Sequence, residues 1–262
     1  MSDLPLISRQ STSPGGKPPL LFVHGAFAGA WCWELFLDYF AKAGYDSHAI
    51  NLPGHGASEW LAVHHYSIDD YVQAVHEAAQ SLHAPPVVIG HSMGGFVVQH
   101  YLLKSPQVVA AALLCAVPPD GLYGMMNALG SILDPRNLLD MSLFYSRPRQ
   151  LEAAARMVFE QPVSEEKLEY YFGKMSLVSL RALWDMFLLV KPIVIPEKQP
   201  FPVFVLGTLE DRIIPASAIE KTAAAWGVPL HLLPGFGHAI MLERDWRVPA
   251  SLLEQFCQQV TT

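Results

Sequence analysis

The chain is short of charge. Of its 262 residues 16% are charged, and 17 Lys plus Arg face 24 Asp plus Glu, for a formal net charge of −7. No Lys/Arg-rich run occurs, so the basic footprint that holds a nucleic-acid backbone is missing and nucleic acid is not an expected partner. Long apolar runs are missing too. The longest, Val108 to Val117, is closed by Pro118 and Pro119 after ten residues, where a spanning helix takes about 20. It reads as a buried strand. Cysteine is scarce: Cys32, Cys115 and Cys257 are an odd number, far apart and flanked by apolar or aromatic residues. That pattern suits reduced core thiols and not a disulfide framework. Residues 1–19 contain no apolar stretch long enough for a signal-peptide core, which points to a short tail and a cytoplasmic protein.

Apolar residues, by contrast, make up 51% of the chain, enough for one large domain or a core carrying an insertion. From residue 20, short apolar runs alternate with longer helical stretches. The runs are Leu20–Val23, Ser47–Leu52, Val87–Ile89, Val109–Ala116, Val203–Leu206 and Leu230–Leu233. Near-continuous apolar strands of this kind belong to a sheet covered on both faces. Between them, Trp31–Ala43 places Leu35, Phe36, Tyr39 and Phe40 on one helical face and stops at Gly44, while Ser67 with Asp70 resembles a capping box. Repeated strand–helix–strand units predict right-handed crossovers and a mostly parallel α/β sheet with helices on both faces.

Residues 121–199 break the alternation. They contain no clear strand beyond a brief Ile193–Ile195 run, and hold six of the nine methionines together with many aromatics. The pattern predicts a helical lid inserted into a core formed by residues 1–120 and 200–262.

Chemistry concentrates at Gly90-His91-Ser92-Met93-Gly94, a G-x-S-x-G that follows the Val87–Ile89 run and opens a helix. A sharp strand-to-helix turn projects a serine hydroxyl outward and needs neighbours without Cβ atoms. A serine hydroxyl is a weak nucleophile, so a base must lie beside it and a third group must orient the base. Past the lid, the run from Pro202 ends in a loop at Asp211, and Gly235-Phe-Gly-His238 follows the last strand. Ser92, Asp211 and His238 are the candidate nucleophile, acid and base. Glu210 beside Asp211, and Asp120 past the fourth core strand, remain alternatives for the acid. His231, inside a strand, is expected to pack or face solvent. An oxyanion would find donors in the backbone N–H groups of Met93 and of Ala26, which follows His24-Gly25. His24 reads as a hydrogen-bonding support beneath the site.

With these residues assembled, the chain resembles the α/β-hydrolase superfamily from about Leu20 to the C-terminus, excluding the divergent lid. Asn51-Leu-Pro-Gly-His-Gly-Ala-Ser58 is similar to that family's D-L-P-G-H-G-x-S loop, with Asn where Asp is usual. His24-Gly-Ala-Phe-Ala-Gly-Ala-Trp-Cys-Trp33 is similar to the corresponding stretch of plant methyl esterases and hydroxynitrile lyases. In the lyase branch a lysine follows the catalytic histidine; Ala239 stands here, so the resemblance implies an esterase.

The implied activity is hydrolysis of a carboxylic ester through an acyl-enzyme, without metal or cofactor and with a small-molecule ester as partner. Lactone, amide or carbon–carbon hydrolysis by the same three residues is the rival chemistry, and a non-catalytic small-molecule receptor is the rival class. No H-E-x-x-H and no G-x-x-x-x-G-K-[ST] is present. Phe27, Met125, Trp184, Phe187 and Ile240 are the candidate substrate-lining residues, on the view that the lid carries more apolar surface than its own packing needs.

Overall fold

The computed structural model describes residues 6–12, 16–56, 63–104, 106–122, 155–189 and 193–260. Along the chain the strands are β1 (Leu6–Arg9), β2 (Leu20–Val23), β3 (Ser47–Ile50), β4 (Val87–His91), β5 (Ala110–Leu114), β6 (Val203–Thr208) and β7 (Leu230–Leu233). The helices are α1 (Glu34–Lys42), α2 (Ile68–Ser81), α3 (Met93–Leu102), α4 (Glu165–Gly173), α5 (Leu180–Trp184), α6 (Ala216–Trp226) and α7 (Arg247–Val260). The strands form one sheet in the order β1-β3-β2-β4-β5-β6-β7, parallel except for β1.

Alternate strand residues feed two cores. Leu21, Val23, Val88, Ala111 and Leu113 pack with α2, α3 and α6 through Tyr71, Val72, Phe96, Val97 and Ile219. Leu20, Phe22, Ile89, Ala112 and Leu114 pack on the other face with α1 and α7 through Phe36, Phe40, Leu253 and Phe256. Burying one such Phe or Leu side chain contributes about 1.5–3 kcal/mol, which is why these strands read as apolar throughout. The predicted capping box is present: the Ser67 hydroxyl accepts the Asp70 N–H and the Asp70 carboxylate accepts the Ser67 N–H.

Two local expectations need correction. The segment taken as a tail contains β1, which pairs antiparallel with β3 from Leu6↔Ile50 to Arg9↔Ser47. Four edge residues, three half-buried and Ser8 exposed, carry too little periodicity to announce a strand. Distant partners hold them: Ser8 Oγ with His48 Nδ1 at 2.8 Å and Arg9 Nε with Asp38 at 2.7 Å. The expected Trp31–Ala43 helix is a 3₁₀ turn, Ala30–Trp33, followed by α1. The tighter turn resets the phase, so Phe36, Leu37, Phe40 and Ala41 are buried and Leu35 is exposed.

Between β5 and β6 the described residues contain α4 and α5, each N-capped by a serine hydroxyl, Ser164 and Ser179. Two hydrogen bonds join the ends of this segment. Leu122 N–H donates to Met186 O at 2.9 Å and Ile193 N–H to Pro119 O at 3.4 Å. Gly121 adopts φ +69°, and a Cβ there would lie 2.3 Å from Met186 O.

The order β3-β2-β4 means that the chain leaves β2 toward one edge and returns on the other side of it. That reversal at β2 and β4 is the switch point at which, in open α/β sheets, sites form at the C-terminal ends of the strands.

Candidate active site

Ser92 lies at that switch point, between β4 and α3. Its backbone takes φ +55°, ψ −121°, a strained left-handed conformation for a residue with a Cβ. The turn is held by Ser92 N–H to Leu114 O at 3.1 Å and by Ser92 O, which accepts Val117 N–H at 3.1 Å and Phe96 N–H at 3.2 Å. Its glycines are contact requirements. A Cβ on Gly94 would meet His24 O at 2.3 Å, and one on Gly95 would meet the Ala116 methyl at 2.4 Å. Helix α3 thus touches the end of β2 and the residues after β5 backbone to backbone.

The loop after β2 abuts the serine: a Cβ on Gly25 would lie 2.9 Å from Ser92 Cβ. His24 fixes this loop from beneath, as its position in the sequence suggested. Its Nε2 accepts Leu52 N–H at 3.1 Å, so Nδ1 carries the proton and donates to Gly25 O at 2.8 Å. Burial, with His55 close by, lowers the His24 pKa to about 3, so the ring stays neutral. Asn51, the departure from the usual aspartate, accepts Ala30 N–H at 2.8 Å and braces the turn that follows the loop. Phe27 takes φ +60°, and its carbonyl accepts Ser176 N–H at 3.0 Å from the insertion.

After β6 and β7 the structure brings Asp211 and His238 together. His238 Nδ1 donates to Asp211 Oδ2 at 2.7 Å, with both residues buried. The other carboxylate oxygen accepts the N–H groups of Ile213 and Ile214, each at 2.8 Å. The alternatives for the acid serve elsewhere. Glu210 accepts Gly235 N–H at 2.7 Å, and Asp120 lies 3.6 Å from Lys221 on α6. His231 is exposed and rests its ring on Phe204.

Three functional neighbours were not evident from the sequence. His91, beside Ser92, donates from Nε2 to His238 O at 2.9 Å, and the two rings lie 4.6 Å apart. Thr208 Oγ1 donates to Gly237 O at 3.1 Å. Cys115, at φ +45°, hydrogen-bonds the Asp211 side chain; burial and that carboxylate push its thiol well above the ordinary range. The potential ligand atoms of His91, Cys115 and His238 lie within 4.8 Å of one another. A cysteine ligates a metal as the thiolate. Here burial and the Asp211 carboxylate favour the protonated thiol.

The proposed substrate-lining residues are dispersed. Phe27 packs against one core and Ile240 is fully buried in the other. Phe187 is half-buried, Trp184 is 56% exposed, and Met125 lies outside the described residues. Trp184 faces outward and Ile240 is sealed, because burial at single positions is not encoded in apolar content.

A parallel sheet with a serine on a strained strand–helix turn, and a buried His–Asp pair on the loops of the last two strands, has the layout of a nucleophilic hydrolase. Residues 20–250 match the model of the alpha/beta hydrolase family, and the chain belongs to that family. It is 32% identical over 107 residues to the pFDCC methylesterase of Arabidopsis thaliana, covering 39% of this chain and 41% of that protein. In the first curated matches the chain spans 34–41% of the relative's own length. With the bifunctional esterase/perhydrolase of Acinetobacter calcoaceticus it shares 26% identity over 87% of each chain. Among solved structures, an esterase of Exiguobacterium antarcticum superposes with a TM-score of 0.72 at 18% identity, over 97% of this chain and 94% of that one. Among the described residues no helix is long and apolar enough to cross a membrane.

Proposed function

We propose that the protein hydrolyses carboxylic esters through an acyl-enzyme on Ser92. The observation that carries this reading is the buried His238–Asp211 hydrogen bond, joined through His91 to the residue before a serine on a strained turn. Ser92 Oγ attacks the ester carbonyl while His238 Nε2 takes its proton, and Asp211 holds the imidazole and stabilises the imidazolium. The tetrahedral oxyanion accepts the N–H groups of Ala26 and Met93. Peptide geometry supports both donors: in a trans peptide the N–H points opposite to the C=O. Gly25 O is held by His24 and Ser92 O by Phe96 and Val117, so each following N–H is turned the other way. Collapse of the intermediate breaks the ester bond, and His238 returns the proton to the departing alcohol. Water, deprotonated by His238, then releases the acid and restores Ser92. No cofactor takes part.

Residues 121–199 act as the lid in this proposal, with Ser176 joining it to the oxyanion loop through Phe27 O. Two relatives named as esterases lend the reading support. The test is covalent labelling. A sulfonyl fluoride should add once, to the peptide containing Ser92, and abolish ester turnover. Ser92→Ala should lower turnover by about 10⁴ to 10⁶. Full activity in that variant would overturn the proposal.

A further inference from the structure

One buried carboxylate has no part in the chemistry above. Glu243 is 1% exposed, and three backbone N–H groups converge on it. Its Oε1 accepts Gly237 N–H at 2.9 Å and Glu160 N–H at 2.8 Å, and its Oε2 accepts Gln161 N–H at 3.1 Å. Gly237 immediately precedes His238, whereas Glu160 and Gln161 belong to the insertion.

Other contacts join the same two segments. Ala239 N–H donates to Val158 O at 3.1 Å, and the Gln161 side chain donates to Gly235 O at 2.9 Å. A Cβ on Gly237 would lie 2.7 Å from Val158 O, so the histidine loop lies directly on that backbone. The acid loop docks there as well. Arg212, next to Asp211, donates to Arg156 O at 2.9 Å and Phe159 O at 3.3 Å, and pairs with the Glu160 carboxylate. The loops bearing the base and the acid therefore rest on one strip, residues 155–161.

Three donors on two oxygens call for an ionised acid. A protonated carboxyl or an amide would turn a proton toward an N–H, and an unsatisfied buried donor costs about 1–3 kcal/mol. Burial raises the Glu243 pKa and the charge of Glu160 adds to the rise, while the three amides pull it down.

We infer that Glu243 is a positioning residue, whose carboxylate ties strip 155–161 to the histidine loop and so keeps the His238–Asp211 pair in register with Ser92. The inference rests on the assignment of those three residues as the catalytic set. Its test compares Glu243→Gln with wild type for p-nitrophenyl ester turnover, for the rate of sulfonyl fluoride labelling, and for the downfield proton resonance of His238 Nδ1–H. In folded Glu243→Gln, kcat and the labelling rate should fall between tenfold and about 10², the scale of a small misplacement of catalytic groups. KM should change little, and the imidazole resonance should shift or broaden. Glu243→Asp, which keeps the charge but shortens the reach, is read the same way if the amide variant does not fold. A purely structural role would lower Tm and leave the kcat of the folded enzyme and the resonance alone. That result overturns the inference, whereas wild type that neither labels at Ser92 nor turns over ester overturns the catalytic assignment beneath it.

Discussion

His91 Nε2 donates a 2.9 Å hydrogen bond to the backbone carbonyl of His238, so the residue before the serine holds the main chain of the proposed base 147 positions further on. A carbonyl can only accept, which places the His91 proton on Nε2. Burial, then the neighbouring His238, lower the His91 pKa to about 3, and the donor therefore persists through mild acid. His91→Phe would keep a ring against His238 and lose the bond. Its kcat should fall by about tenfold or more with KM nearly unchanged. Steady-state kinetics with a p-nitrophenyl ester check this, and a wild-type kcat would mean that the loop is held without His91.

Asp211→Asn should be severely impaired, since an amide can offer the His238 N–H only its single oxygen and upsets the imidazole tautomer; a loss of about 10⁴ is the scale seen when this group is changed in serine hydrolases. Asp120→Asn, at the Lys221 contact, should keep near-normal turnover. Reversed results would move the acid to the end of β5.

Acid should unfold the protein over a definite window. His24 and His91 have pKa values lowered to about 3 and His55 to about 4, in each case chiefly by burial. Each ring is neutral in the fold and protonated in the unfolded chain below about pH 6.5. Their contribution is whole above that pH and drains away as pH falls toward 4 and then 3, by roughly 1 kcal/mol per pH unit for each ring. Urea midpoints between pH 7.5 and 4.5 should fall by the uptake of more than one proton. A flat profile would contradict neutral burial.

Uncharged esters with a short-to-medium apolar acyl group should be preferred over acetates and charged esters. Each buried methylene contributes about 0.8 kcal/mol, so several raise kcat/KM more than tenfold if the contact persists in the transition state. A p-nitrophenyl series from acetate to decanoate measures this. A profile flat or highest at acetate would mean that Phe27, Phe187 and their neighbours pack on the protein alone.

The core strands and the serine turn were legible because their signals are local: apolar runs of a few residues, and glycines where no Cβ fits. Asp211 was the sequence's candidate acid, with Glu210 and Asp120 as alternatives; all three follow the C-terminal ends of β5 or β6, and it is Asp211 that bonds His238. His91 and Glu243 were hidden. One is the variable residue of the motif and the other a single acid behind Ala239–Leu242, and each acts through a backbone group that sequence cannot place. β1 escaped because its partners lie some forty residues away.

The paired ends of the segment between β5 and β6 have an evolutionary side. With Leu122 bound to Met186 and Ile193 to Pro119, that segment leaves and rejoins the core at adjacent points. Closure entropy grows only with the logarithm of length, about 0.6 kcal/mol for each doubling. Length changes in that segment outside strip 155–161, on which the His238 and Asp211 loops rest, are therefore thermodynamically inexpensive, so descendants of this chain could change what they recognise there while the sheet, the serine turn and the paired loops stayed as they are.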